Sequence, residues 1–200
     1  MGVYGLTGSF SSGKSTVCEI LRKKGVKVFS SDKAVHRYYD NKNTYIYKRI
    51  AALYPQVLEG SKISRKKLAN IVFSETERLK EIELLVHPVI IKELKNWIKK
   101  HRKKYCILVA EVPLLFEKKL EMYFDKTILV WTKQEILLKR INKKLSLNRS
   151  KALRRLRLAM PIKQKLRKSD FIIANNTSIR NLKNEVSILW KKLKEAPEGE

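Results

Sequence analysis

The stretch Val3 to Cys18, VYGLTGSFSSGKSTVC, constrains the fold more than any other. It reads as a short buried strand, a loop of small residues and the first turn of a helix. Within it, Gly8 to Ser15 fits G-x-x-x-x-G-K-[ST], the spacing of a phosphate loop. Gly8 and Gly13 let the backbone curl so that successive N–H groups point inward at a helix N-terminus and cradle a phosphate. Lys14 then neutralises the outer phosphates, and the Ser15 hydroxyl can ligate Mg²⁺. The bland alternative is a serine-glycine turn, and a strand before with a helix after is the context that favours the nucleotide site.

Strand signals recur along the chain. Val26 to Phe29, Cys106 to Ala110, Thr127 to Trp131 and Phe171 to Ala174 are short apolar runs bounded by polar or turn residues. Helical spacing lies between them, so right-handed crossovers and a five-stranded parallel sheet with helices on both faces are expected. Thr16 to Lys24 carries Val17, Ile20 and Leu21 at helical spacing, with Gly25 as its stop. Ile46 to about Lys104 shows no convincing strand, only amphipathic stretches, and reads as an all-helical insertion. Within it Ser64 is a candidate N-cap, Pro88 is expected to start or kink a helix, and Trp97 is expected in the core. Ile179 to Lys194 is the final helix, and Ala196 to Glu200 is expected to fray.

Composition narrows the class. Two hundred residues with 44% hydrophobic content suit one globular domain with an insertion. No apolar run reaches a membrane span, and Met1 to Leu6 lacks the features of a signal peptide, so a soluble cytoplasmic chain with no membrane partner is expected. Cys18 and Cys106 have neither metal nor disulfide spacing and are expected to be small buried hydrophobes. The formal charge of +26 calls for polyanionic ligands or nucleic acid, unless it reflects a lysine-rich composition alone.

The candidate reacting groups sit at strand ends. Asp32 follows the second strand, on the ligand edge of an open α/β sheet, where a carboxylate could orient an acceptor hydroxyl and take its proton. Its alternative role is a plain N-cap, shared with Ser30 and Ser31. Glu111 ends the third strand and could reach a metal, directly or through water, with capping or a salt bridge as the alternative. Between Lys139 and Lys168 stand thirteen Lys or Arg residues and no acid. Most read as a solvated face, while the place of the segment between the fourth and fifth strands suits a mobile basic lid, with Arg140 its leading functional candidate. His36, His87 and His101 share no metal-ligand spacing.

Taken together, GLTGSFSSGKST, FSSDKAVHR, RKKLANIVF, the His87-Pro88 pair, EVPLLFE and DFIIANN resemble the dephospho-CoA kinase family, in order and spacing, from Gly5 to about Leu182. The resemblance implies a P-loop kinase that phosphorylates the ribose 3′-hydroxyl of dephospho-CoA with ATP and Mg²⁺. Its small-molecule substrates would be ATP and dephospho-CoA, and a monomer is expected. By position, Ser9, Phe10, Ser11, Ser12, Gly13, Lys14, Ser15 and Thr16 form the ATP loop, and Asn175 lies near the adenine. Asp32 matches the proposed base, and Arg140 a lid arginine. Arg65, His87, Pro113, Leu114 and Leu115 match acceptor-binding positions. The implied division is a core of about 1–31, 105–132 and 169–196, a helical CoA-binding insertion of about 32–104 and a lid of about 133–168.

The chain departs from the family pattern at four places. Ser11 replaces a common glycine, which suits the loop only if positive φ is not required there. Ser30 replaces a frequent aspartate, Lys144 a second lid arginine and Ala159 a lid glutamine. Two alternatives stay open at this level: a kinase of the same fold acting on another nucleoside or nucleotide, and a basic nucleic-acid-binding P-loop protein. The second is disfavoured because the basic run has no interleaved aromatic residues for base stacking.

Overall fold

Five short apolar runs form one parallel sheet in the computed structural model of the chain, which describes residues 2–145 and 147–195. The chain begins with β1 (Gly2–Gly8), α1 (Lys14–Lys23), β2 (Lys27–Ser30), α2 (Ser31–Tyr39) and α3 (Tyr45–Leu53). It continues with β3 (Leu58–Glu59), β4 (Lys62–Ile63), α4 (Arg65–Val72), α5 (Thr76–His101) and β5 (Ile107–Glu111). The last elements are β6 (Lys126–Trp131), α6 (Gln134–Leu145), α7 (Arg149–Arg157), α8 (Ile162–Lys168), β7 (Phe171–Ala174) and α9 (Ile179–Glu195). The expected frayed tail, Ala196 to Glu200, lies outside the described residues.

Strand order is β2-β5-β1-β6-β7. β1 therefore lies at the centre, pairing Gly2 to Leu6 with Ile107 to Glu111 on one side and Tyr4 to Gly8 with Lys126 to Val130 on the other. Both pairings are parallel, so Gly8, Glu111 and Val130 come out on the same edge. β7 adds to β6 in parallel, from Ile128 opposite Phe171 to Trp131 opposite Ala174. Two carboxylates hold the opposite edge in register. Asp125 Oδ2 accepts from the Val3 backbone N–H at 2.7 Å, and Asp170 Oδ2 accepts from Thr127 N at 2.7 Å and Thr127 Oγ1 at 2.8 Å.

α1 and α9 cover one core layer of the sheet. Val17, Cys18 and Leu21 of α1 join Leu182, Val186, Leu189 and Leu193 of α9 over Leu6, Val109, Ile128, Val130 and Ile173. Each such side chain contributes about 1.5–3 kcal/mol on burial, which is what holds the end of α1, and hence the loop before it, against the sheet. Gly25, with φ +83°, ends α1, and Val26 N donates back to Leu21 O at 3.1 Å.

The chain divides into two compact units, Met1–Phe29 with Trp97–Glu200 and Ser30–Asn96. Ser30–Asn96 carries α2, α3, α4 and most of α5, but it is not all-helical. Leu58 pairs with Ile63 and Glu59 with Lys62 in an antiparallel hairpin whose turn holds Gly60 at φ +59°. Strands of two residues are too short to leave a periodic signature. Of the two expectations for Pro88, that it starts a helix is not met; it lies inside the single helix α5. Its ring costs the hydrogen bond to the carbonyl of Leu84, and both residues face solvent, where water can serve that oxygen.

Two core expectations also need correcting. Cys18 is buried but Cys106 is exposed, one residue before β5 begins. Trp97 is half-buried and sits in an aromatic row, 5.6 Å from the Phe29 ring and 5.1 Å from the His101 ring.

Candidate active site

The phosphate loop joins β1 to α1, and its path depends on missing side chains. A Cβ on Gly8 would sit 2.5 Å from the Val130 carbonyl oxygen and 2.7 Å from Ser12 Oγ. On Gly13, which has φ +99° and is the N-cap of α1, it would meet Asn175 Nδ2 at 2.2 Å. No side chain caps α1. The first-turn N–H groups thus keep the orientation that favours an anion. Lys14 is buried and folds back along the loop, donating from Nζ to the carbonyls of Gly8 at 3.0 Å and Ser9 at 3.1 Å.

Ser11 does stand at positive φ, +62°. The glycine-to-serine departure therefore places an L-residue in the left-handed region, where the Cβ is crowded. The hydroxyls of Ser11 and Ser12 are buried and find no hydrogen-bond partner among the described residues. Two orphaned donors beside a helix N-terminus and a buried lysine are a fitting surround for phosphate oxygens.

Ser15 Oγ donates to Glu111 Oε1 at 3.0 Å. Glu111 is 2% exposed at the end of β5, directly opposite Leu6 in the sheet register. A hydroxyl and a carboxylate side by side offer oxygen ligands of the kind a hard divalent cation takes. Among the described residues there is no cluster of three or more His, Cys, Asp or Glu able to hold a metal by itself. Burial, with Glu111 next in weight, pushes the Cys18 thiol well above its ordinary range, so it is an inert packing residue.

Behind the loop, three donors meet the Ser12 carbonyl oxygen: Asn175 Nδ2 at 2.7 Å, Thr132 Oγ1 at 3.1 Å and Arg140 Nη1 at 3.5 Å. Arg140 Nη2 also donates to the Asn175 carbonyl at 3.1 Å and to Asn175 Oδ1 at 3.3 Å. Arg140 and Asn175 are thus joined to the loop and to each other. Thr132 was not legible as part of this group, since one threonine after a strand carries no signature. The same holds for Asn176, whose Oδ1 accepts from Lys133 N at 2.7 Å and fixes the start of α6.

Beside Ser9 opens a cleft of about 690 Å³, walled by Trp131, Lys133, Leu153, Arg157 and Met160. Its far wall is the basic segment. α6 and α7 clasp through Leu138, Ile141 and Ala152, and Asn148 caps α7 by accepting from Lys151 N at 2.9 Å. Lys144, at the second lid-arginine position, is exposed, and Ala159 lines the cleft. After β5, Pro113 and Leu114 are half-buried and Leu115 is fully buried, packed where a Cβ on Gly5 would lie 2.4 Å from Leu115 Cδ1.

The remaining predicted site residues belong to Ser30–Asn96. Ser30, not Asp32, is the N-cap of α2, accepting from Lys33 N at 3.5 Å. Asp32 stands exposed in the first turn. His87 is half-buried midway along α5. Arg65, exposed at the start of α4, places Nη1 at 3.0 Å from His36 Nδ1 and 3.2 Å from Nε2. Burial and then the Arg65 charge hold His36 below the ordinary histidine range, against the opposing pull of Asp32 and Asp40.

A family model described as dephospho-CoA kinase matches residues 2–181. The chain belongs to the dephospho-CoA kinase family. Its relatives include the dephospho-CoA kinase of Bartonella quintana, 34% identical over 97% of this chain and 100% of that one. That of Aquifex aeolicus is 32% identical over 96% of this chain and 98% of its own. Among solved structures, the dephospho-CoA kinase of Campylobacter jejuni superposes with a TM-score of 0.71 at 30% identity, covering 98% of both chains. The shikimate kinase of Acinetobacter baumannii, at 16% identity and a TM-score of 0.55, shares the fold alone. Within the family's P-loop architecture, the Ser15–Glu111 pair and the donors on Ser12 lie around the loop after the central strand.

Two outcomes follow from this geometry. Ser11→Gly relieves the left-handed strain and is expected to raise unfolding free energy by roughly 0.5–1 kcal/mol, read from denaturant melts. The lowered His36 pKa means that, below the ordinary value, the unfolded chain takes up a proton that the folded chain refuses. Stability should therefore fall as pH drops from about 6.5 and level off once pH passes below the folded pKa, and His36→Gln should flatten that slope.

Proposed function

We propose that this protein transfers the γ-phosphoryl group of ATP to the ribose 3′-hydroxyl of dephospho-CoA, giving CoA and ADP, the last step of CoA biosynthesis. The observation that carries this reading is the buried Glu111 carboxylate hydrogen-bonded to Ser15, the loop hydroxyl of a chain whose family match spans residues 2–181. ATP phosphates would sit against the loop from Ser9 to Thr16, with Phe10 exposed at its tip. Ser15, with Glu111 behind it, would hold Mg²⁺. Bound there, Mg²⁺ would offset charge on the phosphate oxygens.

This chain's own residues would do the rest by positioning and charge. The Lys14 ammonium, now satisfied by two loop carbonyls, would exchange them for phosphate oxygens. Arg140, seated on Asn175, would face the transferring group from the lid side, and Asn175 would lie beside the adenine. Arg65, His87 and the segment Pro113, Leu114 and Leu115 would hold the acceptor. Asp32 would orient the acceptor hydroxyl and take its proton. Its exposure leaves the carboxylate accessible to a substrate hydroxyl, and Ser30 already fills the capping role.

A coupled ADP-release assay across dephospho-CoA, AMP, CMP and pantetheine tests the acceptor, and indifference to dephospho-CoA would overturn the assignment. In the same assay Asp32→Ala is expected to lower kcat about 100-fold or more with the KM for ATP unchanged. Near-normal turnover in that variant would remove Asp32 from the chemistry.

A further inference from the structure

The run of thirteen cations contains one that is fully buried. Lys165, on α8, is 1% exposed. A lysine is almost never fully buried unless it is paired, and this one is: Nζ lies 2.8 Å from Glu117 Oε1. The same Glu117 oxygen accepts from the Met160 backbone N–H at 2.9 Å, at the end of the basic segment. On its other side Lys165 Nζ donates to the Pro113 carbonyl at 3.4 Å. That carbonyl also accepts from Thr7 Oγ1 at 3.1 Å, and Thr7, fully buried, immediately precedes Gly8 of the phosphate loop.

The contacts form one chain from the lid to the loop: Met160, Glu117, Lys165, Pro113, Thr7. A second, looser contact runs alongside it, with Lys168 Nζ 3.7 Å from Glu121 Oε1 and 5.8 Å from the centre of the Phe116 ring. The two lysines share a face of α8, and both glutamates belong to the segment that follows β5. Stability alone does not account for the inner pair. A buried ion pair is often no better for folding than packed hydrophobic side chains of similar volume, and Glu117 Oε2 is buried here with no hydrogen-bond partner among the described residues. What the pair does provide is a fixed position for the Pro113 backbone relative to the base of the lid.

We propose that Lys165 and Glu117 are positioning residues that lock the segment Pro113 to Leu115 to the base of the lid at Met160 and so set the acceptor-binding surface. The inference rests on the reading above that this segment lines the acceptor site. The lid arginine is held separately, by Asn175 and the Ser12 carbonyl, so its seat on the loop does not depend on the pair.

Lys165→Met with Glu117→Leu removes both charges and keeps the volume, avoiding the lone buried charge that either single change would leave. The expected result is a folded enzyme whose KM for dephospho-CoA rises about tenfold while its KM for ATP stays within about twofold. Lys165→Met with Glu117→Gln keeps an acceptor for Met160 N but loses the bond to Pro113, and should show the same split in weaker form. Circular dichroism melts of both variants verify folding. An unchanged KM for dephospho-CoA in the folded variants would overturn the proposal, as would equal rises in both KM values, the mark of a purely structural role. Wild-type protein that ignores dephospho-CoA would instead overturn the acceptor reading, and the proposal with it.

Discussion

The Ser12 carbonyl oxygen is the point on which the phosphate site hangs. It accepts from the side chains of Thr132 and Arg140 in the β6–β7 connection and of Asn175 after β7, so two separate stretches of chain converge on one loop atom. A loop that must present N–H groups inward has to turn its carbonyls outward, and a buried carbonyl without a partner costs about 1–3 kcal/mol. Thr132, Asn175 and Arg140 meet that cost at Ser12, and Lys14 does the same for Gly8 and Ser9. The arrangement also explains why Gly13 admits no side chain: the Asn175 amide occupies the space a Cβ would need.

The rest of the core serves that geometry. The central place of β1 puts Gly8 between the ends of β5 and β6, so Glu111 arrives beside Ser15 through sheet register. A shift by one residue along β5 would turn its carboxylate to the other face of the sheet. At the opposite edge Asp125 and Asp170 hold the other registers, β6 on β1 and β7 on β6, each accepting a backbone N–H of the adjacent strand. Burial of α1 and α9 in a shared core then keeps the helix N-terminus aimed at the loop.

Much of this was legible because the signals were local. The glycine spacing, the five apolar runs and the acid at the end of β5 each need only a few residues to be read, and the motif resemblance supplied the acceptor. What stayed hidden depended on distance in space. Lys165 sits among surface cations in the sequence, and only folding brings it to Glu117, 48 positions away. Asn175 is read from the resemblance as lying near the adenine, and no local signal shows that its amide buttresses Ser12. The hairpin at Leu58–Ile63 escaped because it has no room for a period, and Pro88 does not mark a helix start because a proline on a helix's exposed side forfeits a bond that water replaces. Ser11 is the opposite case: its substitution was visible, and its cost depended on a φ that no composition encodes.

The large positive charge gives these placements a further meaning. With 45 Lys and Arg against 19 Asp and Glu, most cations cannot pair with an acid, and repulsion among them works against compactness. Acids spent on exposed pairs would return little, since such pairs contribute about 0–1 kcal/mol and are screened by salt. Several of the scarce carboxylates instead stand at junctions, where each accepts a backbone N–H: Asp125 from Val3, Asp170 from Thr127, Glu117 from Met160. A carboxylate used this way fixes the direction of the chain as well as supplying charge. The basic segment from Lys139 to Lys168 has no acids of its own, and Glu117 and Glu121 meet its cations at α8. The positive field of α6 and α7 therefore faces a fold whose loop is shaped for phosphates.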